Sequence, residues 1–159
     1  MELYTMKLSK NFSLRELTRS DTATRFGIDN SPNDEQLINL TTLAVMVLQP
    51  IRDEIGSTTV NSGLRVLELN RKIGSSDTSQ HVKGEAADIE CPGFDNLELA
   101  QWIRDHLDFD QVILEGYTEG DTNSGWIHVS YRADGKNRKN CLTATFPNGE
   151  AQYANGLPE

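Results

Sequence analysis

Three residues of this chain carry metal-ligand chemistry at a suggestive spacing. The stretch Ser79-Gln80-His81-Val82-Lys83-Gly84-Glu85-Ala86-Ala87-Asp88 sets an imidazole and a carboxylate seven positions apart, with Gly84 and two alanines between them. A turn at Gly84 followed by a strand through Asp88 brings both groups to one point. Imidazole nitrogen and carboxylate oxygen are standard ligands of Zn²⁺, and three protein ligands plus a water is the usual catalytic arrangement. His128, in the apolar stretch Trp126-Ile127-His128-Val129-Ser130, is the natural third ligand. The rival account is a His–Asp hydrogen bond in a polar loop, with His128 a satisfied core histidine. On pattern alone the two accounts stand level. The third histidine, His106, lies among Arg104, Asp105 and Asp108 and reads as solvated.

The surrounding elements must position these groups. Ser13 and Glu16 have capping-box spacing at the start of a short helix around Leu14 and Leu17. The strongest helix signal runs from Ser31 to Gly56, with an apolar stripe of Leu37, Leu40, Ala44, Val47 and Leu48 and a late kink expected at Pro50. Residues 57–63 read as a strand, 64–74 as a short helix closed by Gly74, and 75–84 as polar loop. Residues 85–91 read as a strand, and 96–108 as a helix with Leu97, Ala100, Ile103 and Leu107 inward. Two strands follow, 109–116 and 126–132, joined by the turn-rich Tyr117–Gly125, and residues 141–147 suggest one more. This order predicts an α+β fold with a mainly antiparallel sheet flanked by helices. One domain over residues 1–159 is expected, with its core at about 12–146 and a loose tail at 147–159.

Composition narrows the function. Lys+Arg is 15 against Asp+Glu 24, a formal net charge of −9, which argues against a nucleic-acid partner. No apolar run approaches the ~20 residues of a membrane-spanning helix, so membrane insertion is not expected. The opening MELYTMKLSKNF has neither an apolar core nor a small-residue cleavage site, so no signal peptide is expected. Cys91 and Cys141 do not form a CxxC pair and read as buried thiols.

Ser79, His81, Gly84, Ala86 and Asp88 match the pattern Ser-x-His-x-x-Gly-x-Ala-x-Asp without a fault, and Trp126-Ile127-His128 matches a Trp-x-His strand. The chain thereby resembles the zinc D-Ala-D-Ala carboxypeptidase family, whose fold is shared with hedgehog signalling domains. More closely, it resembles the small phage and bacterial murein peptidases of that family. The resemblance runs from about Phe12 to Tyr131 and implies His81, Asp88 and His128 as ligands of one Zn²⁺ per chain. It also maps a substrate-holding basic residue onto Arg65, where the alternative is an ion pair with Glu68. Ser79 is weighed as a substrate or Asp88 contact against simple loop capping. Trp126 is weighed as a cleft wall against sheet packing, and packing is favoured. Asp110 and Gln111 are implied to tie a strand end to the site.

Many relatives place the catalytic acid three residues before the last histidine, and that position here is Gly125. Pairing residues 111–115 antiparallel to 126–130, with Glu115 opposite Trp126, turns Glu115 toward His128, because side chains repeat every two residues. Glu115 is therefore the expected general base and Asp121 its alternative. The function this implies is a zinc metallopeptidase, carboxypeptidase or endopeptidase, acting on the stem peptide or cross-link of bacterial peptidoglycan. A monomeric phage-type endolysin, or a virion-borne enzyme reaching the wall after release, fits that reading. The alternative is a non-catalytic, zinc-containing hedgehog-like module that binds wall or protein.

Overall fold

The computed structural model describes residues 5–159. Residues 1–4, the start of the stretch read as lacking a signal peptide, lie outside the described residues. Six strands form one sheet: β1 (Thr59–Ser62), β2 (Ala86–Glu90), β3 (Gln111–Glu115), β4 (Trp126–Ser130), β5 (Asn140–Thr145) and β6 (Gln152–Asn155). Their spatial order is β1-β2-β4-β3-β5-β6. Every neighbouring pair is antiparallel except β3 and β5, which run parallel. The expected α+β architecture with a mainly antiparallel sheet is the one observed.

The sheet's two faces differ in chemistry because its central strands alternate. Ala87, Ile89, Val112, Leu114, Ile127 and Val129 are fully buried and join the hydrophobic core. The residues between them, Asp88, Gln111, Ile113, Glu115, Trp126 and His128, point to the opposite face, as the two-residue period requires. Helix α7 (Asn96–His106) covers the core face, burying Leu99, Ala100 and Ile103 and leaving Leu97 and Leu107 partly buried. One face is therefore sealed, and the other is free to carry polar groups.

The other helices close the core. Helix α1 (Leu14–Thr18) starts with the expected capping box between Ser13 and Glu16, and α2 (Asp21–Phe26) follows directly. The long helix is three pieces: α3 (Asp34–Leu43), a π-helical segment Ala44–Leu48 and α4 (Gln49–Glu54). Leu40, Ala44, Val47 and Leu48 are buried as the stripe predicts, together with Leu43 and Ile51, and Leu37 is partly buried. Pro50 sits in the first turn of α4, directly after the π segment. The π segment closes with Gln49 N–H on Ala44 O, one residue further back than an α-helical bond, immediately before the proline that cannot donate. Helix α5 (Leu67–Ile73) ends at Gly74 as expected. The two cysteines are free, Cys91 buried and Cys141 half-buried.

Two expectations need correction. The segment 75–84, read as plain polar loop, contains a helical turn, α6 (Gln80–Lys83). Four residues are too short for any periodic signal. The tail at 147–159, expected to be loose, contains β6 and is fastened down. Gly156 donates its backbone N–H to Cys141 O (2.8 Å), and Gln101 Nε2 donates to Pro158 O (2.9 Å). Arg104 Nη1 meets Glu159 Oε1 at 3.2 Å. These anchors come from partners more than ten residues away in sequence, so local composition does not announce them.

Candidate metal centre

Strand pairing places Asp88 directly opposite His128 on the polar face of the sheet. His81 arrives from α6, whose N-cap is Ser79; the Ser79 hydroxyl accepts the His81 backbone N–H at 3.2 Å. That contact is the capping role considered for Ser79, which also lines the cleft. The imidazole of His81 is held from behind, its Nδ1 lying 2.8 Å from the carbonyl oxygen of Gly63. A carbonyl only accepts, so Nδ1 carries the proton and Nε2 presents its lone pair to the site. Gly63 is needed there, because a Cβ would collide with the backbone of Leu17.

The three side chains converge on one oxygen. Asp88 Oδ1 lies 3.4 Å from His81 Nε2 and 3.3 Å from His128 Nδ1. Each residue offers a ligand atom, and these atoms all lie within 4.8 Å of one another. Asp88 Oδ1 is buried and has no hydrogen-bond partner among the described residues. An orphaned buried carboxylate oxygen is costly unless something cationic meets it. A tetrahedral metal with ~2.0–2.2 Å bonds to N and O separates neighbouring ligand atoms by about 3.3–3.6 Å. The two separations from Asp88 Oδ1 match that edge, and the third lies within 4.8 Å, so the residues fit a small divalent metal of the zinc type. Burial alone would raise the Asp88 pKa, but imidazole N–H groups turned onto it, in the absence of a metal, outweigh this and hold the carboxyl well below its usual range. The ligand is thus ready in its charged form.

The cleft over this centre has a volume of about 500 Å³ and is lined by Arg65, His81, Asp88, Glu115, Trp126 and His128 among others. The register of β3 against β4 is the expected one: Glu115 opposes Trp126 and Ile113 opposes His128. Glu115 therefore shares the face of His128. Trp126 Nε1 donates to Glu115 Oε2 at 2.9 Å, which fixes the carboxylate. Burial and the charge of Asp88 raise the Glu115 pKa, against opposing effects of His128, Trp126 and Arg65. Gly125 occupies a left-handed turn where a Cβ would strike the Glu115 backbone, so this close turn leaves no room for an acidic side chain. Asp121 is exposed, accepts from the Asn123 backbone N–H at 3.1 Å, and is not among the cleft-lining residues.

Arg65 enters from the loop after β1, its backbone N–H bonded to His81 O at 3.0 Å. The considered ion pair with Glu68 is not formed; Arg65 makes no ion pair among the described residues, and its Nε is buried without a partner. Burial pushes the pKa of this guanidinium down, with Asp88 and Glu115 pulling it back up. Trp126 is half-buried, lines the cleft and stacks on Phe146 (centroids 6.0 Å apart). It thus serves both wall and packing, and its bond to Glu115 was not foreseen. Asp110 is buried beneath the rim, accepting from Arg138 Nη2 (2.8 Å) and Gln80 Nε2 (3.0 Å), which ties α6 to the start of β3. Gln111 bonds to Asn140 on β5 (2.9 Å). His106 is exposed and stacks on Trp102, away from the centre. A somewhat larger hollow of about 590 Å³ beside α1 and α2 has no His, Cys, Asp or Glu in its lining, so the chemistry belongs to the cleft.

Comparison with known proteins agrees with this geometry. A family model described as Peptidase M15 matches residues 10–130, a span that includes all three potential ligands, Glu115 and Arg65. The zinc D-Ala-D-Ala carboxypeptidase of Streptomyces albus G is 35% identical over 72 residues. That stretch is 44% of this chain and only 28% of the relative, so the chain spans well under a third of the curated protein it matches. The family match covers most of the chain and its whole candidate centre, and the chain belongs to the peptidase M15 family.

Proposed function

We propose that this protein is a zinc-dependent peptidase that hydrolyses peptide bonds in the stem peptide or cross-link of bacterial peptidoglycan. The single observation that carries the reading is the orphaned Asp88 Oδ1 between two imidazoles, at the floor of a cleft that also holds an acid and an unpaired arginine. The named relative, a zinc D-Ala-D-Ala carboxypeptidase, supports both the metal and the substrate class.

His81 Nε2, Asp88 Oδ1 and His128 Nδ1 would hold one Zn²⁺ per chain. When bound, zinc supplies a Lewis acid that acidifies water and polarises a carbonyl. Glu115 accepts the proton of the attacking water on its carboxylate and delivers it to the departing amine. Its raised pKa suits both halves of that shuttle, and the Trp126 bond keeps one oxygen occupied and the group aimed. Arg65 presents its guanidinium to a substrate carboxylate or carbonyl. Ser79 keeps His81 in place by capping its turn.

The placement of Glu115 favours an enzyme over a non-catalytic zinc module, since a structural metal site needs no base. A monomer of the phage-endolysin or virion-borne kind, reaching the wall after release, accords with this reading. No helix among the described residues is long and apolar enough to cross a membrane. The test is release of free amino groups from purified peptidoglycan by zinc-loaded protein. Amine release that stops on chelation and returns with zinc supports the reading; a wall preparation left uncut by fully loaded protein removes it.

A further inference from the structure

Strand β6 adds nothing to the hydrophobic core, since all four of its residues are exposed. It is nonetheless held firmly. Four register pairs join it to β5, and the anchors at Gly156 and Pro158 fix the chain beyond it. The residues matched to the family end at 130, so β5 and β6 add to the matched region. A strand kept rigid without serving the core calls for another use.

The register supplies one. Trp126 pairs with Glu115, Glu115 with Ala144, and Ala144 with Tyr153, one row across four strands. Ala144, which separates Glu115 from Tyr153 in this row, adds no bulk beyond its Cβ and is itself covered. Tyr153 lines the same cleft as His81, Asp88 and His128, yet is 59% exposed. Its side chain makes no hydrogen bond or ring contact among the described residues. An aromatic ring held over a polar cleft with no partner of its own is suited to packing on a ligand.

We infer that β6 is the distal wall of the substrate cleft, and that Tyr153 is a specificity-determining residue that packs on the substrate peptide beyond the cut bond. This rests on the peptidase reading above. His128 and Tyr153 are three strand spacings apart, about 14 Å at ~4.8 Å each, and lie two residues apart along the strands, ~6.6 Å, which makes about 16 Å between them. An extended peptide advances ~3.3 Å per residue, so Tyr153 meets substrate roughly five residues from the metal centre, or fewer once its own side-chain reach is counted. A stem pentapeptide is long enough to touch it and a dipeptide is not.

The test is calorimetric titration of zinc-loaded Glu115→Gln protein, which does not consume its ligand, with a stem pentapeptide and with its terminal dipeptides. Adding Tyr153→Ala should weaken pentapeptide binding about three- to tenfold, the range of a single aromatic contact. Dipeptide binding should move less than twofold, and Tyr153→Phe should keep pentapeptide affinity. Unchanged pentapeptide affinity in the Ala variant overturns the inference. So does equal weakening of both ligands with a lowered melting temperature, or no pentapeptide binding at all. Tyr153-dependent binding by a protein whose wild type cuts no stem peptide would keep the wall and remove the peptidase reading. Efficient cutting with an indifferent Tyr153 would do the reverse.

Discussion

Glu115→Gln separates chemistry from assembly more cleanly than any other single change. Glutamine keeps the size of the side chain, and its amide oxygen can still accept the Trp126 Nε1 hydrogen bond that measures 2.9 Å in the native protein. What disappears is a carboxylate that burial and the Asp88 charge hold above its ordinary pKa, where it can take and return a proton. Loss of a positioned general base typically costs ~10²–10⁴ in rate, about 3–5 kcal/mol of barrier. None of the three clustered ligand atoms belongs to Glu115, so metal content should not change. Removing a buried like charge near Asp88 should leave the melting temperature equal or slightly higher. The assay is the initial rate of amine release from peptidoglycan at matched zinc occupancy, with metal measured by plasma mass spectrometry. A variant that cuts at the wild-type rate refutes the assignment and sends the search for the base to Asp121. A variant that loses its metal shows that Glu115 acts on the ligands instead.

Other expectations are equally exposed to failure. His81→Ala or Asp88→Ala should strip the metal, because two remaining ligands hold zinc poorly; full occupancy in both would remove the metal assignment. Arg65→Lys keeps the charge but loses the forked donor geometry, so activity should fall at least about tenfold with zinc content and melting temperature near wild type. A large loss of stability with normal activity per folded molecule would make Arg65 structural. Burial raises the Asp110 pKa, but Arg138 and Gln80 more than reverse this and hold it below 3.8. A carboxyl depressed in the folded state stabilises above its unfolded pKa and loses that contribution as pH falls through the folded value. Thermal melts should therefore drop in wild type below about pH 4. Arg138→Ala should be less stable at pH 7 and should show a shallower acid decline. Parallel melting curves for the two proteins across that range would contradict the pairing.

Much of the site was legible in the sequence because its chemistry is local or follows the two-residue period. His81 and Asp88 sit close along the chain, and Gly84 announces the turn between them. Glu115 and His128 could be put on one face because a short turn-rich connection makes β3 and β4 neighbours. What stayed hidden depends on distant partners. Helix α6 is four residues long and is stabilised by contacts such as Gln36 Nε2 to Val82 O (2.8 Å) from α3. The parallel pairing of β5 with β3 needs knowledge of which edge of β3 is free. Strand β6 is exposed throughout, so no hydrophobic pattern marks it, and Tyr153 looks like a residue of a solvated tail until the register places it over the cleft. The bond from Trp126 to Glu115 could have been inferred from the same register that predicted Glu115, since directly opposed side chains touch.

The most direct test of the central claim is mass spectrometry of purified peptidoglycan, with known stem peptides, after digestion by the zinc-loaded protein. Fragments whose new termini lie at one defined peptide bond of the stem or cross-link are expected. These fragments should be absent with chelated protein and with His81→Ala. The identity of that bond would also distinguish a carboxypeptidase from an endopeptidase. Muropeptide profiles identical to the undigested control, from protein carrying one zinc per chain, would contradict the claim.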